Sequence, residues 1–361
     1  MSFGKREYLD LPEPQIELPP PRKVRRSAVR RVFRALYRLV VLVALLAGGL
    51  AAYAYYEFAQ PGPLTKSRVL EIEKGLSTPD IAAKLEAAGI IANAPIFTAA
   101  ALVTRTRGRL KAGEYEFPPR ASMAQVLNLL ASGKVMVHKV SIPEGWTSDM
   151  ALARITEHPV LTGDITGTPA EGAILPDTYI VKRGMKRQDV LDHMVARQTA
   201  LLDEIWDKRN PAIAIKTKEE AVILASIVEK ETGIASERPQ IASVFMNRLN
   251  KGMRLQSDPT IIYGMVGGKG KLDRALTKAD VNAPTPYNTY TINGLPPGPI
   301  ANPGRASLEA VVNPAATDYL YFVADGTGGH VFATTLVEHN RNVAKWRKIE
   351  DAASQAQAPS P

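Results

Sequence analysis

TKEEAVILASIVEKETGIASERPQIASVFMNRL, residues 217–249, is the stretch from which the rest of the chain is best read. Its first half is a strongly apolar helix, and a second helix is expected over residues 238–249. Glu229 does not fit its apolar surroundings. At helical spacing it falls on the face of Val222, Ala225 and Ser226, with Gly233 one turn on, so a carboxyl stands beside small residues that leave room for a ligand. Burial disfavours the ionised form of such a group, and a glutamate tuned toward ~6 donates a proton at neutral pH. The bland alternative is a helix-end glutamate paired with Lys230 or Arg248. Glu231 shares a face with Leu224 and Ile227, so periodicity alone does not choose between the two glutamates.

Upstream of this stretch the sequence repeats itself. Residues 68–73 alternate like a strand, Lys74-Gly75 turns, and Ser77 caps a helix carrying Ile81, Ala82 and Leu85. Seventy residues later a strand over 139–142, a turn at Glu144-Gly145-Trp146-Thr147 and a helix with Met150, Leu152 and Ile155 follow the same grammar. A second correspondence, at an offset of 64, matches GEYEF (113–117) with TYIV (178–181), each followed by an apolar pair, Val126-Leu127 and Val190-Leu191. Two diverged copies of a strand–helix–strand unit account for both offsets. The first, residues 64–135, looks like the carbohydrate-binding LysM arrangement, an ordinary α+β spacer being the competing reading. Residues 110–117 are expected to form an edge strand ending at Pro118-Pro119. Downstream, beyond residue 252, Gly, Pro, Asn, Thr and Tyr dominate, as in long loops that carry binding groups. Residues from 311 suggest a short helix or strand. YLYFVA (319–324) reads as a buried strand, VFA (331–333) as its hairpin partner, and residues 335–349 as a last helix before a frayed tail.

The 361 residues are 45% hydrophobic and 22% charged, too apolar for a disordered chain, and their length suggests about two domains. With no cysteine, disulfides, thiolate zinc sites, iron–sulfur clusters and cysteine nucleophiles are excluded. The net charge of +9 is concentrated at one end, since residues 1–38 hold ten Lys/Arg against four Asp/Glu. That is a basic tail on a nearly balanced body, and it argues against a nucleic-acid partner. LVVLVALLAGGLAAYAYY, residues 39–56, carries no charge, and its eighteen residues reach roughly 27 Å, enough to cross a membrane if Phe58 and Ala59 also enter. Arginines before it and Tyr53, Tyr55, Tyr56 and Phe58 after it place the N-terminus in the cytoplasm. Ala52-Tyr53-Ala54 has the form of a signal-peptide cleavage site, but the basic region and the apolar run are both long for one. Residues 1–38 are therefore expected as a disordered cytoplasmic tail, 39–58 as a transmembrane helix, 136–349 as the main domain and 350–361 as a disordered tail. The fold class is α+β: one N-terminal membrane helix, a LysM-like subdomain, then a larger α+β domain.

LASIVEKETGIASERPQIASVFMNRLNKGMRLQSDPTIIYG (224–264), YNTYTINGLPPGPIANPG (287–304) and YLYFVADGTGGHVFATTLVEHN (319–340), in this order, resemble the endolytic murein transglycosylase family, also called YceG-like. The likeness extends upstream through Ile142-Pro143-Glu144-Gly145 and Leu175-Pro176-Asp177-Thr178-Tyr179 and covers nearly all of residues 39–347. It implies a bacterial inner-membrane lyase, single-pass with its catalytic domain in the periplasm. Such an enzyme cuts nascent peptidoglycan strands internally between N-acetylmuramic acid and N-acetylglucosamine and leaves a 1,6-anhydro end, contributing to the termination of glycan polymerisation. It further implies that the first glutamate of the EKET motif, Glu229, is the catalytic acid, with peptidoglycan synthases as partners.

One carboxyl suffices for that reaction. A hydrolase normally needs two, because one must supply a nucleophile or activate water. Here the muramyl 6-hydroxyl is the internal nucleophile, so a single glutamate protonates the leaving oxygen and then takes the proton from O6. The substrate's N-acetyl group would hold the intervening cation, positioned by polar side chains. Asn288 is the first candidate for that task and Gln256 the second, with Asp258, Thr260, Tyr290 and His330 as further substrate-binding candidates; turn chemistry is the competing reading for the loop residues. Asp258, as a second carboxylate, keeps a hydrolytic muramidase open, and a non-catalytic peptidoglycan-binding adaptor is the alternative from another class. Glu144 is explained by its Glu-Gly turn. The five histidines show no metal-ligand spacing, residues 266–270 lack phosphate-loop spacing, and no Ser–His–Asp order stands out, so neither a metal nor a cofactor is expected.

Overall fold

The computed structural model describes residues 26–357. In chain order the elements are α1 (Arg26–Ala59), β1 (Arg68–Ile72), α2 (Thr78–Ala87), α3 (Ala94–Val103), β2 (Gly113–Phe117), α4 (Met123–Ser132), β3 (His138–Ser141), α5 (Ser148–Thr156), β4 (Thr178–Val181), α6 (Arg187–Asp207), α7 (Lys218–Glu231), α8 (Arg238–Asn250), α9 (Asp258–Val266), α10 (Lys278–Asn282), α11 (Arg305–Val312), β5 (Tyr321–Ala324), β6 (His330–Ala333) and α12 (Leu336–Gln357). Helices and sheets mix, and the strands pair in twos: β1 with β2, β3 with β4, β5 with β6. The helix α1 is continuous across the expected span and begins before it, so the boundary expected at residue 39 falls inside a helix. Among the described residues it is the one helix long and apolar enough to cross a membrane. At the other end α12 runs on to Gln357, past the expected tail boundary at 350; residues 1–25 and 358–361 lie outside the described residues.

The chain divides into two compact units. The first takes residues up to 68, 76–110 and 117–132, where α2 packs on α3 and α3 on α4 through Ile81, Leu85, Phe97, Val126 and Leu130, all buried. The second takes residues 69–75, 111–116 and everything from 133 onward. Within it, Glu114 of β2 is buried and binds Arg183 at 2.9 Å and His138 at 2.7 Å, which ties β2 to the ends of the β3–β4 ribbon.

The suspected repeat is visible in local geometry. The helices α2 and α5 both start at a hydroxyl cap, Ser77 (φ −74°, ψ 161°) and Thr147 (φ −75°, ψ 162°), preceded by left-handed Gly75 and Gly145. In β2 and β4, Tyr115 and Tyr179 are both buried, and each phenol donates to the carbonyl four residues earlier, Lys111 at 2.7 Å and Leu175 at 2.6 Å. The copies differ by α3, which has no helical counterpart between α5 and β4. In the second copy β3 and β4 run antiparallel with Val140 opposite Tyr179, and they bury Ile155, Leu191 and Met194 of α5 and α6.

The main core of the second unit is helical. The helix α7 begins at a capping box in which Thr217 caps Glu220 N–H and Glu220 returns to Thr217 N–H. Its apolar surface is covered on several sides by α8, α9 and α11. Leu224, Ala225, Ile227 and Val228 are fully buried, which explains why the helix reads apolar nearly all round. Two expectations change here. The region after residue 252 contains α9 and α10 between its loops, and of residues 319–324 only 321–324 form a strand, half-buried rather than buried, because β5 pairs with β6 and is covered by α12 and α8.

Candidate active site

The two glutamates at the end of α7 occupy opposite chemical environments. Glu229 has a side chain only 4% exposed; its Oε1 accepts from Arg238 Nη2 at 2.9 Å and its Oε2 from the Gly304 N–H at 2.9 Å. The same guanidinium reaches Glu144 Oε2 at 3.2 Å. A Cβ at Gly304 would run into the Glu144 side chain, which would have to move away from this crossing. The small neighbours expected to leave room for a ligand are filled by protein: Ser226 Oγ accepts from Ile300 N–H at 3.0 Å. Glu229 therefore clamps α7, α8 and the start of α11 together, with both of its oxygens bonded to protein, so the open, ligand-ready surroundings expected from its small neighbours are not found and its assignment as the acid rests on the family resemblance.

Glu231, the last residue of α7, meets the physical requirement that was placed on Glu229. Burial pushes its carboxyl up to about 7; the Ser257 hydroxyl bond opposes the shift, nearby Asp258 adds to it, and His330 and Arg248 oppose it. Its position at a helix C-terminus, where the backbone dipole disfavours negative charge, acts in the same direction as burial. Ser257 Oγ donates to Oε1. Glu231 lines a cavity of about 460 Å³ together with Arg248, Gln256, Asp258, Tyr290, Tyr321, His339 and Trp346.

The walls of this cavity are held in place by buried hydrogen bonds. Arg248 of α8 donates to the carbonyls of Leu320 and Leu255, both at 2.7 Å, and its guanidinium carbon sits 5.3 Å from the Tyr321 ring centre. On the same tyrosine, His339 of α12 stacks at 5.1 Å with the rings 22° apart. Tyr290 O–H donates to Asp258 Oδ1 at 2.7 Å, fixing the second carboxylate of the cavity. Gln256 is exposed and sits in the left-handed region at φ 54°, with its Oε1 3.5 Å from Arg248 Nη1.

The other substrate-binding candidates serve the scaffold. Asn288, the first candidate for positioning an N-acetyl group, is fully buried; its Nδ2 donates to Val281 and Ala283 carbonyls at 2.9 and 2.8 Å, and its Oδ1 accepts from Tyr290 N–H at 3.0 Å. It shapes the loop that presents Tyr290. Thr260 is fully buried and bonds Ser257 O at 2.6 Å and Thr289 Oγ1 at 2.9 Å, holding the first turn of α9. His330 turns its Nδ1 to Glu237 Oε2 at 2.8 Å and does not line the Glu231 cavity. Gln256, Asp258 and Tyr290 are the three candidates that the fold does bring to Glu231. Arg248, Tyr321, His339 and Trp346 were not singled out as site residues, because they belong to α8, β5 and α12, elements whose convergence has no local signature. For Glu231 a signal was present: a glutamate followed by Thr232-Gly233 closes its helix, so its carboxyl meets the unfavourable end of the dipole.

Against known proteins, the model of the YceG-like family matches residues 70–345. The endolytic murein transglycosylase of Bacillus subtilis (strain 168) is 41% identical over 181 residues, 49% of this chain and 48% of the relative. That of Streptococcus pneumoniae serotype 2 (strain D39) is 30% identical over 362 residues, 85% of this chain and 64% of the relative. A crystal structure of a yceG-like protein from Listeria monocytogenes, 32% identical, covers 76% of this chain and 98% of that chain with a TM-score of 0.49. The chain thus spans between about half and just under two thirds of the length of these curated relatives.

Proposed function

The chain belongs to the YceG-like family, and from that premise we propose that it is a membrane-anchored endolytic lytic transglycosylase of peptidoglycan, with Glu231 as its acid and then its base. The observation that carries this assignment is the Glu231 carboxyl itself, raised to about 7 and lining a polar cavity. Protonated, it donates to the oxygen linking N-acetylmuramic acid to N-acetylglucosamine as that bond breaks. As a carboxylate, it then accepts the proton of the muramyl 6-hydroxyl, whose oxygen closes on C1 to give the 1,6-anhydro end. One group returns to its starting state, and no water is consumed. Ser257, bonded to Oε1, orients the carboxyl. Gln256 takes the role of positioning the N-acetyl group, since its side chain is exposed at the cavity rim while Asn288 is enclosed. Residues 64–135 dock the glycan as a LysM-like module, a reading supported by the order β1-α2-α3-β2 along the chain. The helix α1 anchors the enzyme in the inner membrane with its N-terminus in the cytoplasm, beside the synthases whose glycan polymerisation it helps to terminate.

Asp258 supports a second reading, hydrolysis, because a second carboxylate in the same cavity is what a muramidase needs. Digestion of purified sacculi decides among these, since anhydro and reducing ends differ in mass by one water. Anhydro ends are expected from the wild type, none from Glu231→Gln, and a partial yield from Glu229→Gln in the fraction that remains folded. Reducing ends throughout would establish the muramidase, and saturable binding without cleavage the adaptor. Full activity of Glu231→Gln would remove Glu231 from the mechanism.

A further inference from the structure

A second cavity, of about 600 Å³, lies in the same unit and is larger than the one that holds Glu231. Its walls come from the β3–α5 turn (Trp146, Thr147), the end of α7 (Lys230), α9 (Pro259, Tyr263) and the loop after α9 (Lys271). We infer that this cavity is a subsite for a peptide-bearing unit of the glycan strand, next along the strand from the bond being cut. The inference rests on the glycan-cleaving function proposed above.

Three observations support it. The first is continuity. Lys230 and Pro259 line the second cavity, while their chain neighbours Glu231 and Asp258 line the first. Consecutive residues are about 3.8 Å apart, so the last turn of α7 and the first of α9 form a wall that the two cavities share, and a strand seated in one lies beside the other. The second is chemistry. Trp146 and Tyr263 offer aromatic faces for the C–H faces of sugar rings, and the Lys230 and Lys271 ammonium groups suit the free carboxylates of stem peptides. The Arg154 guanidinium, 5.1 Å from the Trp146 ring centre, adds positive charge beside it. Glu144 also lines the cavity, but its carboxylate is engaged by Arg238 at 3.2 Å.

The third is preorganisation. Thr147 Oγ1 donates to Gly268 O at 2.8 Å, which fastens the loop after α9 to the β3–α5 turn. Gly268 is left-handed at φ +76°, and a Cβ there would come within 3.2 Å of the Tyr263 ring. Tyr263 is set in turn by Glu171, whose Oε2 accepts from the phenol at 3.2 Å and whose Oε1 accepts from Ser148 N–H at 2.8 Å and Asn302 Nδ2 at 3.3 Å. The aromatic wall is thus fixed from behind by a buried network before any ligand arrives.

The test uses the full-length protein in detergent on two substrates: purified glycan strands carrying their stem peptides, and the same strands stripped of peptides by an amidase. The wild type is expected to show a higher kcat/KM on peptide-bearing strands, and Lys271→Glu to lose that preference through KM with kcat changed by less than about twofold. Trp146→Ala is expected to raise KM on both substrates by about tenfold, with Trp146→Phe restoring most of it. Equal wild-type kcat/KM on the two substrates, or an unchanged KM in both Lys271→Glu and Trp146→Ala, would overturn the inference. Failure here is separable from failure of the function, because the anhydro ends made by the wild type and their loss in Glu231→Gln are read on the stripped strands alone.

Discussion

Two glutamates separated by one lysine show how much of a carboxyl's chemistry is set by its surroundings. Glu229 faces a guanidinium and a backbone N–H; Glu231 faces a serine, a second carboxylate and a cavity. Removing Glu229 leaves the buried Arg238 with only the half-exposed Glu144 as a carboxylate partner and leaves the Gly304 N–H without its acceptor, so Glu229→Ala is expected to lower stability by about 2–4 kcal/mol in thermal or denaturant unfolding. Glu231 behaves in the reverse way. Its folded pKa is raised above the unfolded value, so its contribution is complete below about 4.5 and is lost as pH rises through about 7. The wild type should therefore lose stability between pH 5 and 8, by up to about 3 kcal/mol from this group. Glu171, also raised by burial, acts with the same sign, so the difference between wild type and Glu231→Gln isolates the contribution of Glu231. Glu231→Gln should flatten the profile and be the more stable protein at pH 8. If Glu231 is the acid, as proposed, activity is expected to fall as pH rises through about 7, and Asp258→Asn, which removes a like charge, is expected to move that fall to lower pH. An alkaline limb unmoved in Asp258→Asn would separate Asp258 from the titration. Periodicity narrowed the acid to this pair but did not choose within it, because Arg238, Gly304 and Ser257 reach α7 from other elements and leave no mark on its period; the family resemblance pointed to Glu229, and the surroundings of the two carboxyls favour Glu231.

At the scale of elements, legibility followed local chemistry. The cap at Ser77, the strands β1 to β4 and the paired helices α7 and α8 were readable because each is dictated by residues within a few positions of it; the cap at Thr147 was read only as a turn residue. The helix α3 was missed because its ten residues, APIFTAAALV, are apolar on every side and carry no helical period. The helix α9 was missed because Asp258-Pro259 reads as a turn, although a proline in the first turn is compatible with a helix start. The repeat supplies its own test. Tyr115→Phe and Tyr179→Phe each remove one buried phenol bond to the carbonyl four residues back, and each is expected to cost about 1 kcal/mol, with the two losses adding. A large loss from one and none from the other would show that the shared geometry does not have a shared function in the two copies.

At the scale of the molecule, the charge asymmetry and α1 make one argument. The arginines lie on the N-terminal side of the apolar run and the tyrosines on the other, so insertion is expected to leave the basic end in the cytoplasm and everything after residue 60 outside it. From Gln60 the chain has only a few residues before β1 begins at Arg68, so the anchor leaves little slack for whatever follows it. Because the chain has no cysteine, this topology can be read with single introduced thiols and no background. In cells with a permeabilised outer membrane, a membrane-impermeant maleimide is expected to label Lys66→Cys and to spare Ser2→Cys until the inner membrane is lysed. Labelling of Ser2→Cys in intact inner membranes would invert the orientation. Loss of the N-terminal segment from the mature protein, read by intact mass, would make the apolar run a cleaved signal instead. Cleavage would take away the tether to sites of strand synthesis while leaving the chemistry assigned to Glu231 in place, since every group that lines its cavity comes from residues after 230, whereas an inverted anchor would put that cavity on the cytoplasmic side, away from the glycan.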